Sequence, residues 1–163
     1  MEIKSQLKNR SGQILNLVYR DADSFSELGE RVIFGVHGYC FYGEKLVVVY
    51  AAAKGYWTPP GGAIEERETI EEAITREVKE ETNMKVLYQE LLGYQDIYQP
   101  NGIVRQTRSF CLVEPYGDFV SDPDLDVTEI KLIDPKDYKQ YFDWGTVGKH
   151  LMKRALEVKE RTK

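Results

Sequence analysis

Residues 61–83 have the sequence GGAIEERETIEEAITREVKEETN, and this stretch decides the fold. Its two glycines form a turn directly before a predicted helix, whose last turns contain Glu77, Glu80 and Glu81. Residues spaced i, i+3 and i+4 lie on one side of a helix, close enough to bind the same cation. Adjacent carboxylates repel one another, and their oxygens are the ligands that Mg²⁺ or Mn²⁺ prefers. The stretch therefore predicts chemistry as well as secondary structure.

The predicted helix has well-defined ends near residues 69 and 83. Thr69 is a suitable N-cap, and Glu72 three residues later completes a capping box. Asn83 is one of the few residues besides glycine that tolerates a left-handed C-terminal cap.

The three glutamates are predicted to continue the buried side of this helix. On a helical wheel with about 100° per residue, they fall within about 60° of the direction set by the apolar residues of the first turns. Most acidic helices are solvated, but carboxylates directed toward a core are costly unless they are paired or bind metal. A metal site is therefore favoured over a solvated face. Arg76 lies beside the acidic patch and is predicted to pair with Glu68, which would fix the loop to the helix.

Length and composition are those of a single soluble domain. The chain has 163 residues, of which 42% are apolar and 30% charged, and a net charge of −5. No apolar run is long enough for a bilayer and the N-terminus is polar, so we expect a cytoplasmic protein that does not contact membranes. The net charge does not favour nucleic acid as a partner. Cys40 and Cys111 lack a metal-ligand spacing and are expected to be buried free thiols rather than a disulfide.

Around the glycine turn, apolar segments alternate with turns. Residues 1–30 predict an N-terminal β-hairpin, and strands are expected near residues 31–41, 46–50, 86–96, 104–114 and 129–133. Residues 56–62 are expected to be a loop, because two prolines and two glycines disfavour both helix and ladder. An apolar stripe predicts a second helix near residues 146–159. This order indicates an α+β domain with helices layered on a sheet.

The spacing of Gly62, Glu68 and Arg76, followed by EVKEET at residues 77–82, resembles the signature motif of the Nudix hydrolases. The preceding tryptophan and PGG sequence are also similar to that family. Every acidic position of the motif is present. The resemblance implies a single Nudix domain over residues 1–163, folded as an α/β/α sandwich with a mixed central sheet.

Two positions depart from the motif. Asn83 replaces its usual glycine, which the expected left-handed cap tolerates. Arg67 stands where glycine often precedes the first glutamate, which affects the turn and removes no metal ligand.

The resemblance also implies an enzyme that hydrolyses a phosphoanhydride bond in a nucleoside di- or triphosphate derivative. The carbonyl of Gly61 and the side chains of Glu77, Glu80 and Glu81 would bind Mg²⁺ or Mn²⁺. The base that activates water would be Glu77 or a carboxylate outside the motif. Four acidic residues before or in the last predicted strand are the candidates, although each is more commonly a solvated surface carboxylate: Asp122, Asp124, Asp126 and Glu129.

Candidates for substrate binding lie outside the motif, and each has a simpler alternative. Lys54 could contact phosphate or be a surface lysine, and Tyr56 and Trp57 could stack on a base or pack under the turn. His37 could face the ligand or be a core histidine. Arg105 is the arginine that we include among the binding candidates. Arg105 and Arg108 are three positions apart on one strand, so they should project to opposite faces.

The sequence leaves the substrate open. Pro100 falls where ADP-ribose-cleaving members have a proline, but Gln99 to Gly102 is also an ordinary turn, and the acidic residue expected after that proline is absent. The size and the sequence before Trp57 resemble MutT-like enzymes, which favours a nucleoside triphosphate, ordinary or oxidised, over ADP-ribose or a nucleotide sugar. A non-catalytic, nucleotide-binding regulatory domain is the alternative of another class. The N-terminal hairpin is compatible with a monomer or a homodimer.

Overall fold

The computed structural model describes residues 1–163 as a mixed nine-stranded sheet with an α-helix on each face. The strands are β1 (Glu2–Lys8), β2 (Ile14–Asp21), β3 (Ile33–Tyr42), β4 (Lys45–Ala51), β5 (Tyr56–Thr58), β6 (Gly61–Ala63), β7 (Met84–Gln99), β8 (Gly102–Pro115) and β9 (Val127–Ile133). The helices are α1 (Ile70–Thr82) and α2 (Gly145–Arg161), with short 3-10 helices at Phe25–Leu28 and Pro135–Gln140. No helix has the length and the apolar composition needed to cross a membrane.

The sheet has the strand order β1-β2-β7-β8-β3-β4-β5, while β6 pairs with β3 and β9 pairs with β4. The β3–β8 pair is parallel and the other pairs are antiparallel. Successive strand residues face opposite sides: Val36 and Cys40 of β3 pack with α1, whereas Tyr39 and Phe41 pack with α2. The predicted α/β/α arrangement is therefore confirmed.

Both ends of α1 follow the local signals in the sequence. The Thr69 hydroxyl accepts a hydrogen bond from the Glu72 backbone N–H, and the Glu72 side chain accepts one from the Thr69 N–H, which is a complete capping box. Asn83 adopts the left-handed conformation, with φ 54° and ψ 39°, and its N–H donates to the Lys79 carbonyl. These contacts are local, so the helix ends were predictable from sequence.

The segment before α1 differs from the expected loop, because it contains the short strands β5 and β6. Thr58 pairs with Val49 of β4, and Ala63 pairs with Gly35 of β3, each over only three residues. Pro59 and Pro60 lie between the two strands, where no ladder N–H is needed. The two prolines therefore keep β5 and β6 short but do not prevent these strands from pairing with β4 and β3.

The N-terminal residues form the predicted hairpin and extend the main sheet. β1 pairs with β2, and β2 pairs with β7. Leu15, Leu17 and Tyr19 face the core on the α2 side. The hairpin thus covers part of its own sheet and leaves β1 as the edge strand.

We predict that Arg67→Gly stabilises the protein. Arg67 is exposed and has a φ of 65°, in the left-handed region that glycine adopts without steric cost. Relief of the steric penalty exceeds the added chain entropy of glycine in the unfolded state, so we expect a gain of about 0.5–1 kcal/mol in the free energy of unfolding. Urea denaturation measures it. Arg67→Ala is the control, since it keeps the Cβ atom, and equal stability of the two variants would contradict the explanation.

Candidate functional site

The two glycines of the motif bring the backbone of β6 directly against the last turns of α1. The Gly61 N–H donates a hydrogen bond of 2.9 Å to Glu81 Oε1. A Cβ atom on Gly62 would lie 2.7 Å from Glu77 Oε1, and one on Gly61 would lie 2.2 Å from the Val36 carbonyl oxygen. Only glycine permits this approach at either position.

Glu77 and Glu81 are largely removed from water. Glu81 is 8% exposed, and burial raises its pKa to about 8, with further contributions from the charges of Glu77 and Asp122. Burial also raises the pKa of Glu77, although Arg76 opposes the shift. These two carboxylates therefore lie on the buried side of α1, as predicted.

Glu80 does not share that burial, since its side chain is 41% exposed. Val78 is also buried, at 1% exposure, which moves the core-facing direction of α1 toward Glu81 and away from Glu80. The prediction that all three glutamates point inward was therefore wrong for Glu80.

Arg76 connects the loop before α1 to the acidic patch. Its Nε and Nη2 donate to the two Glu68 oxygens at 2.7 and 2.9 Å, and Nη2 also donates to the Ala63 carbonyl. This hydrogen bonding lowers the pKa of Glu68. Nη1 donates to Glu77 Oε1 at 2.8 Å and to Glu80 Oε2 at 3.4 Å. The expected contact between Arg76 and Glu68 is thus present, and the same guanidinium positions two further carboxylates.

The carboxylates do not form a ready-made metal cluster. No group of three or more His, Cys, Asp or Glu side chains has a geometry that could hold a metal ion. Arg76 attracts Glu77 and Glu80, and the Gly61 N–H holds Glu81. The set nevertheless fits Mg²⁺ or Mn²⁺ chemically, because all of its donors are oxygen atoms, the ligands that these hard cations prefer. A divalent cation would have to compete with Arg76 for Glu77 and Glu80.

Among the acidic residues outside the motif, the structure brings Asp122 to the site. Asp122 is 6% exposed, and its charge raises the pKa values of Glu77 and Glu81. Its Oδ1 accepts a hydrogen bond from the Asp124 backbone N–H, and its own N–H donates to the Val127 carbonyl. Asp124, Asp126 and Glu129 are exposed.

The aromatic and basic candidates before the motif divide into two groups. Lys54 and Tyr56 are exposed, and the charge of Lys54 lowers the pKa values of both Glu81 and His37. Trp57 instead packs between other side chains: its ring lies 5.4 Å from Tyr50, 5.6 Å from Tyr141 and 5.0 Å from the Lys131 ammonium. Packing is therefore the better interpretation of Trp57, and Lys54 and Tyr56 remain available to a ligand.

His37 lies beside the glycine turn, where it pairs with Gly61 across β3 and β6. Its side chain is partly exposed, and its ring makes an edge contact with Trp144 at 5.7 Å. Burial, together with the nearby charge of Arg108, lowers the pKa of His37 well below its usual value. The imidazole is therefore neutral at physiological pH.

Arg105 and Arg108 project to opposite faces of β8, as predicted, but Arg105, the predicted binding residue, is the less available of the two. Arg105 donates to Asp96 Oδ1 and Oδ2 at 2.7 and 2.8 Å and lies 4.4 Å from the centre of the Tyr94 ring. Its charge is thus compensated on the α1 face. Arg108 and Trp144, which sequence reasoning missed, adjoin His37 on the α2 face. The alternation along β8 places the two arginines on opposite faces, but only the β7–β8 register shows that Asp96 pairs with Arg105.

We predict that Glu81→Gln stabilises the metal-free protein at alkaline pH. The pKa of Glu81 is raised to about 8 in the folded state, so the folded protein holds this proton to a higher pH than the unfolded chain does. The free energy of unfolding is therefore unaffected below the pKa of Glu81 in the unfolded state, and it falls as pH rises from there toward about 8. In the presence of a metal chelator, the free energy of unfolding of the variant should exceed that of wild type by on the order of 3 kcal/mol at about pH 9 and by little at about pH 5. Denaturation at both pH values measures the difference.

Glu71→Gln provides the matched control, because Glu71 is exposed on the same helix. Its effect on stability should not follow the same pH dependence. Parallel stability profiles for wild type and Glu81→Gln would contradict the burial argument.

The family profile described as the NUDIX domain matches residues 35–154. A MutT-like protein of Streptomyces ambofaciens is 32% identical over 121 residues, which cover 66% of this chain and 79% of that protein. Relatives differ in length: the chain spans only 26% of a longer relative from Caenorhabditis elegans, to which it is 38% identical over 98 residues.

Solved structures show the same fold. The pyrophosphohydrolase BsRppH of Bacillus subtilis has a TM-score of 0.71 at 20% identity, with 94% of this chain and 97% of that chain covered. The NUDIX domain of Shewanella oneidensis NrtR, complexed with ADP ribose, has a TM-score of 0.61 at 21% identity, with 80% and 90% covered. Since the family profile matches most of the sequence and the motif occupies the turn and helix described above, we conclude that this chain belongs to the Nudix hydrolase family.

Proposed function

We propose that the protein is a Mg²⁺- or Mn²⁺-dependent hydrolase that cleaves a phosphoanhydride bond in a nucleoside di- or triphosphate derivative. The main support is the convergence of Glu77, Glu81 and Asp122, all largely buried, at the glycine turn. Neither Glu81 nor Asp122 forms a salt bridge with any basic side chain. Buried carboxylates without a cationic partner are costly, and a bound cation would remove this cost.

The residues that would hold the ion are the Gly61 carbonyl and the side chains of Glu77, Glu80 and Glu81. When bound, such ions clamp adjacent phosphates, lower the pKa of a bound water and neutralise the charge that develops on the leaving group. The remaining contributions come from the chain itself. Gly61 and Gly62 let the backbone approach Glu77 and Glu81 closely, and the positive charge of the exposed Lys54 lowers the pKa of Glu81.

We propose Asp122 as the base that accepts the proton of the attacking water. Its Oδ1 is occupied by the Asp124 backbone N–H, so Oδ2 would accept the proton. Glu77 is the alternative base within the motif. Its Oε1 accepts a hydrogen bond from Arg76 Nη1 at 2.8 Å, whereas Asp122 forms no ion pair with a basic side chain.

A nucleoside triphosphate, ordinary or oxidised, is the substrate class that we favour. Pro100 was the sequence argument for ADP-ribose, and it lies in a two-residue turn between the paired residues Gln99 and Gly102. The turn thus accounts for this proline without a ligand. The NrtR domain shows that the fold accommodates ADP ribose, so ADP-ribose and nucleotide sugars belong in any substrate screen. A regulatory role without catalysis would not require every acidic position of the motif, and all of them are present.

The partners we propose are small nucleotides, with no nucleic acid or membrane contact, in a monomer or a homodimer. Cys40 and Cys111 are buried and unlinked, which agrees with a reducing, cytoplasmic compartment.

We predict Mg²⁺-dependent phosphate or pyrophosphate release from a panel of ordinary and oxidised nucleoside triphosphates, ADP-ribose, dinucleoside polyphosphates and nucleotide sugars. Glu81→Gln should lower kcat/KM at least about 100-fold, because even residues that only orient metal ligands cost 10–100-fold. Mg²⁺ should also raise the melting temperature of wild type more than that of Glu81→Gln. An ion stabilises the folded state only by binding to it, and the variant lacks one of the proposed ligands.

Glu71→Gln is again the matched control and should behave like wild type in both assays. Equally slow release by wild type and Glu81→Gln across the panel would refute the hydrolase proposal. Nucleotide binding without turnover would then favour the regulatory alternative.

We predict that Asp122→Asn lowers kcat by about 10²–10⁴-fold with little change in substrate affinity, the range expected for loss of a general base. Asp124→Asn and Glu129→Gln are controls, since both carboxylates are exposed. Single-turnover and binding measurements on all three variants separate chemistry from binding. A loss of similar size in either control, or none in Asp122→Asn, would argue against Asp122 as the base.

A further inference from the structure

Arg108 is a buried guanidinium without an anionic partner. The residue is 3% exposed, and no carboxylate oxygen lies within salt-bridge distance of it. Of the five N–H groups of an arginine, three make hydrogen bonds, to His37 Nδ1, the Thr107 carbonyl and Gln106 Oε1. Its Nε has no partner at all. Burial lowers the pKa of Arg108 to about 10, so it remains a cation at neutral pH.

Two other arginines, Arg76 and Arg105, each bind both oxygens of a carboxylate, whereas Arg108 has no carboxylate partner. Arg76 directs Nε and Nη2 at the two oxygens of Glu68, and Arg105 directs the same two nitrogens at Asp96. A buried charge without such a partner destabilises the fold. An uncompensated guanidinium is therefore a reason to look for a ligand.

Arg108 belongs to a group of four polar residues on the α2 face of the sheet, which we name the polar shelf: His37, Gln95, Gln106 and Arg108. Gln95 pairs with Gln106 across β7 and β8, and His37 pairs with Arg108 across β3 and β8. Further along the same face, the residues are apolar and lie under α2. Gly35, which pairs with Gln106, has no side chain, and His37 and Gln106 are partly exposed. The shelf is thus open to solvent at His37 and Gln106, whereas Arg108 and Gln95 are buried beside them.

The shelf has more hydrogen-bond donors than acceptors. Gln106 Oε1 accepts from both Arg108 Nη2 at 3.0 Å and Gln95 Nε2 at 3.3 Å, which uses both of its lone pairs. Arg108 Nε and the Gln106 amide nitrogen donate to no protein atom. A ligand that satisfies this surface must bring acceptor atoms.

An aromatic ring adjoins these donors. The Arg108 guanidinium carbon lies 4.8 Å from the centre of the Trp144 ring, which is partly exposed at the start of α2. Gly145 follows with a φ of 63°, so the turn into the helix brings the ring over the sheet. A flat donor surface beside an aromatic ring suits a planar heterocycle better than a tetrahedral phosphate.

The shelf is continuous with the acidic site. His37 pairs with Gly61, and the Gly61 N–H is bonded to Glu81. The charge of Lys54 lowers the pKa values of both His37 and Glu81. One molecule can therefore contact both regions, with its phosphates at the glycine turn and its base on the shelf.

Resting on the function proposed above, we infer that Arg108 determines base specificity by donating hydrogen bonds to a 6-oxopurine, guanine or hypoxanthine. Both bases present the O6 and N7 acceptors that arginine binds as a pair. Adenine has an amino donor in place of O6, which would face the unpaired donors of the shelf. ADP-ribose is accordingly a poorer ligand than a guanine nucleotide.

The first test measures binding without turnover. Calorimetric titration of the metal-free protein with GMP, IMP and AMP should give similar affinities for GMP and IMP, and an affinity for AMP at least about tenfold lower, the effect of one lost arginine–base pair. Arg108→Gln should reduce the difference among the three to about threefold or less. It should leave the melting temperature unchanged or raised, because it removes an unpaired buried charge.

Arg161→Gln is the control, since Arg161 is exposed near the end of α2 and should retain the wild-type preference. Equal binding of the three nucleotides by wild type, no detectable binding of any, or an unchanged preference in Arg108→Gln would overturn the inference. A lower melting temperature of Arg108→Gln with the preference intact would identify Arg108 as a structural residue.

The second test compares kcat/KM for GTP, ITP and ATP. A preference for GTP and ITP that disappears in Arg108→Gln supports the inference, and turnover without such a preference overturns it. If wild type binds GMP and IMP selectively but hydrolyses none of the triphosphates, the proposed substrate fails while the base specificity stands.

Discussion

The site depends on the position of Glu81, whose carboxylate is held away from water by the backbone of the glycine turn. Its hydrogen bond to the Gly61 N–H joins α1 to β6, and β6 is joined in turn to β3 at His37. Any side chain on Gly61 or Gly62 would prevent this approach. Burial disfavours the charged form of the carboxylate and raises its pKa to about 8, so a nearby cation would be needed to keep Glu81 ionised at neutral pH.

Arg76 compensates part of this acidity from the surface side. It is bonded through two nitrogens to Glu68, and only Nη1 reaches Glu77 and Glu80. Its main effect is therefore to hold the loop at residues 63–68 against α1, while it contacts the two outer glutamates. Glu81 and Asp122 lie beyond its reach, and this inner part of the site is where a cation would contribute most.

Features set by local contacts were predictable from sequence, whereas those set by strand register were not. Thr69, Glu72 and Asn83 define α1 through contacts within a few residues, so its ends follow from the sequence. The exposure of Glu80 depends on how much of Val78 is buried, which tertiary packing decides. Asp122 and Asp124 are indistinguishable in the sequence, and only the fold of the loop before β9 buries the first. Arg105 and Arg108 also cannot be distinguished from sequence, because only the pairing of β7 with β8 shows that Asp96 lies opposite Arg105 and forms its salt bridge.

Glu81 and Arg108, two buried ionisable side chains without a partner of opposite charge, lie on either side of the His37–Gly61 pair. Glu81 belongs to α1, Arg108 projects from the α2 face of the sheet, and the two side chains form no ion pair with each other. A chain selected for stability alone would replace either with a neutral side chain, since unpaired buried charges lower stability. In the binding mode that we propose, a nucleotide with its bound cation would satisfy both: the cation would compensate the carboxylates, and the acceptors of the base would bind the guanidinium.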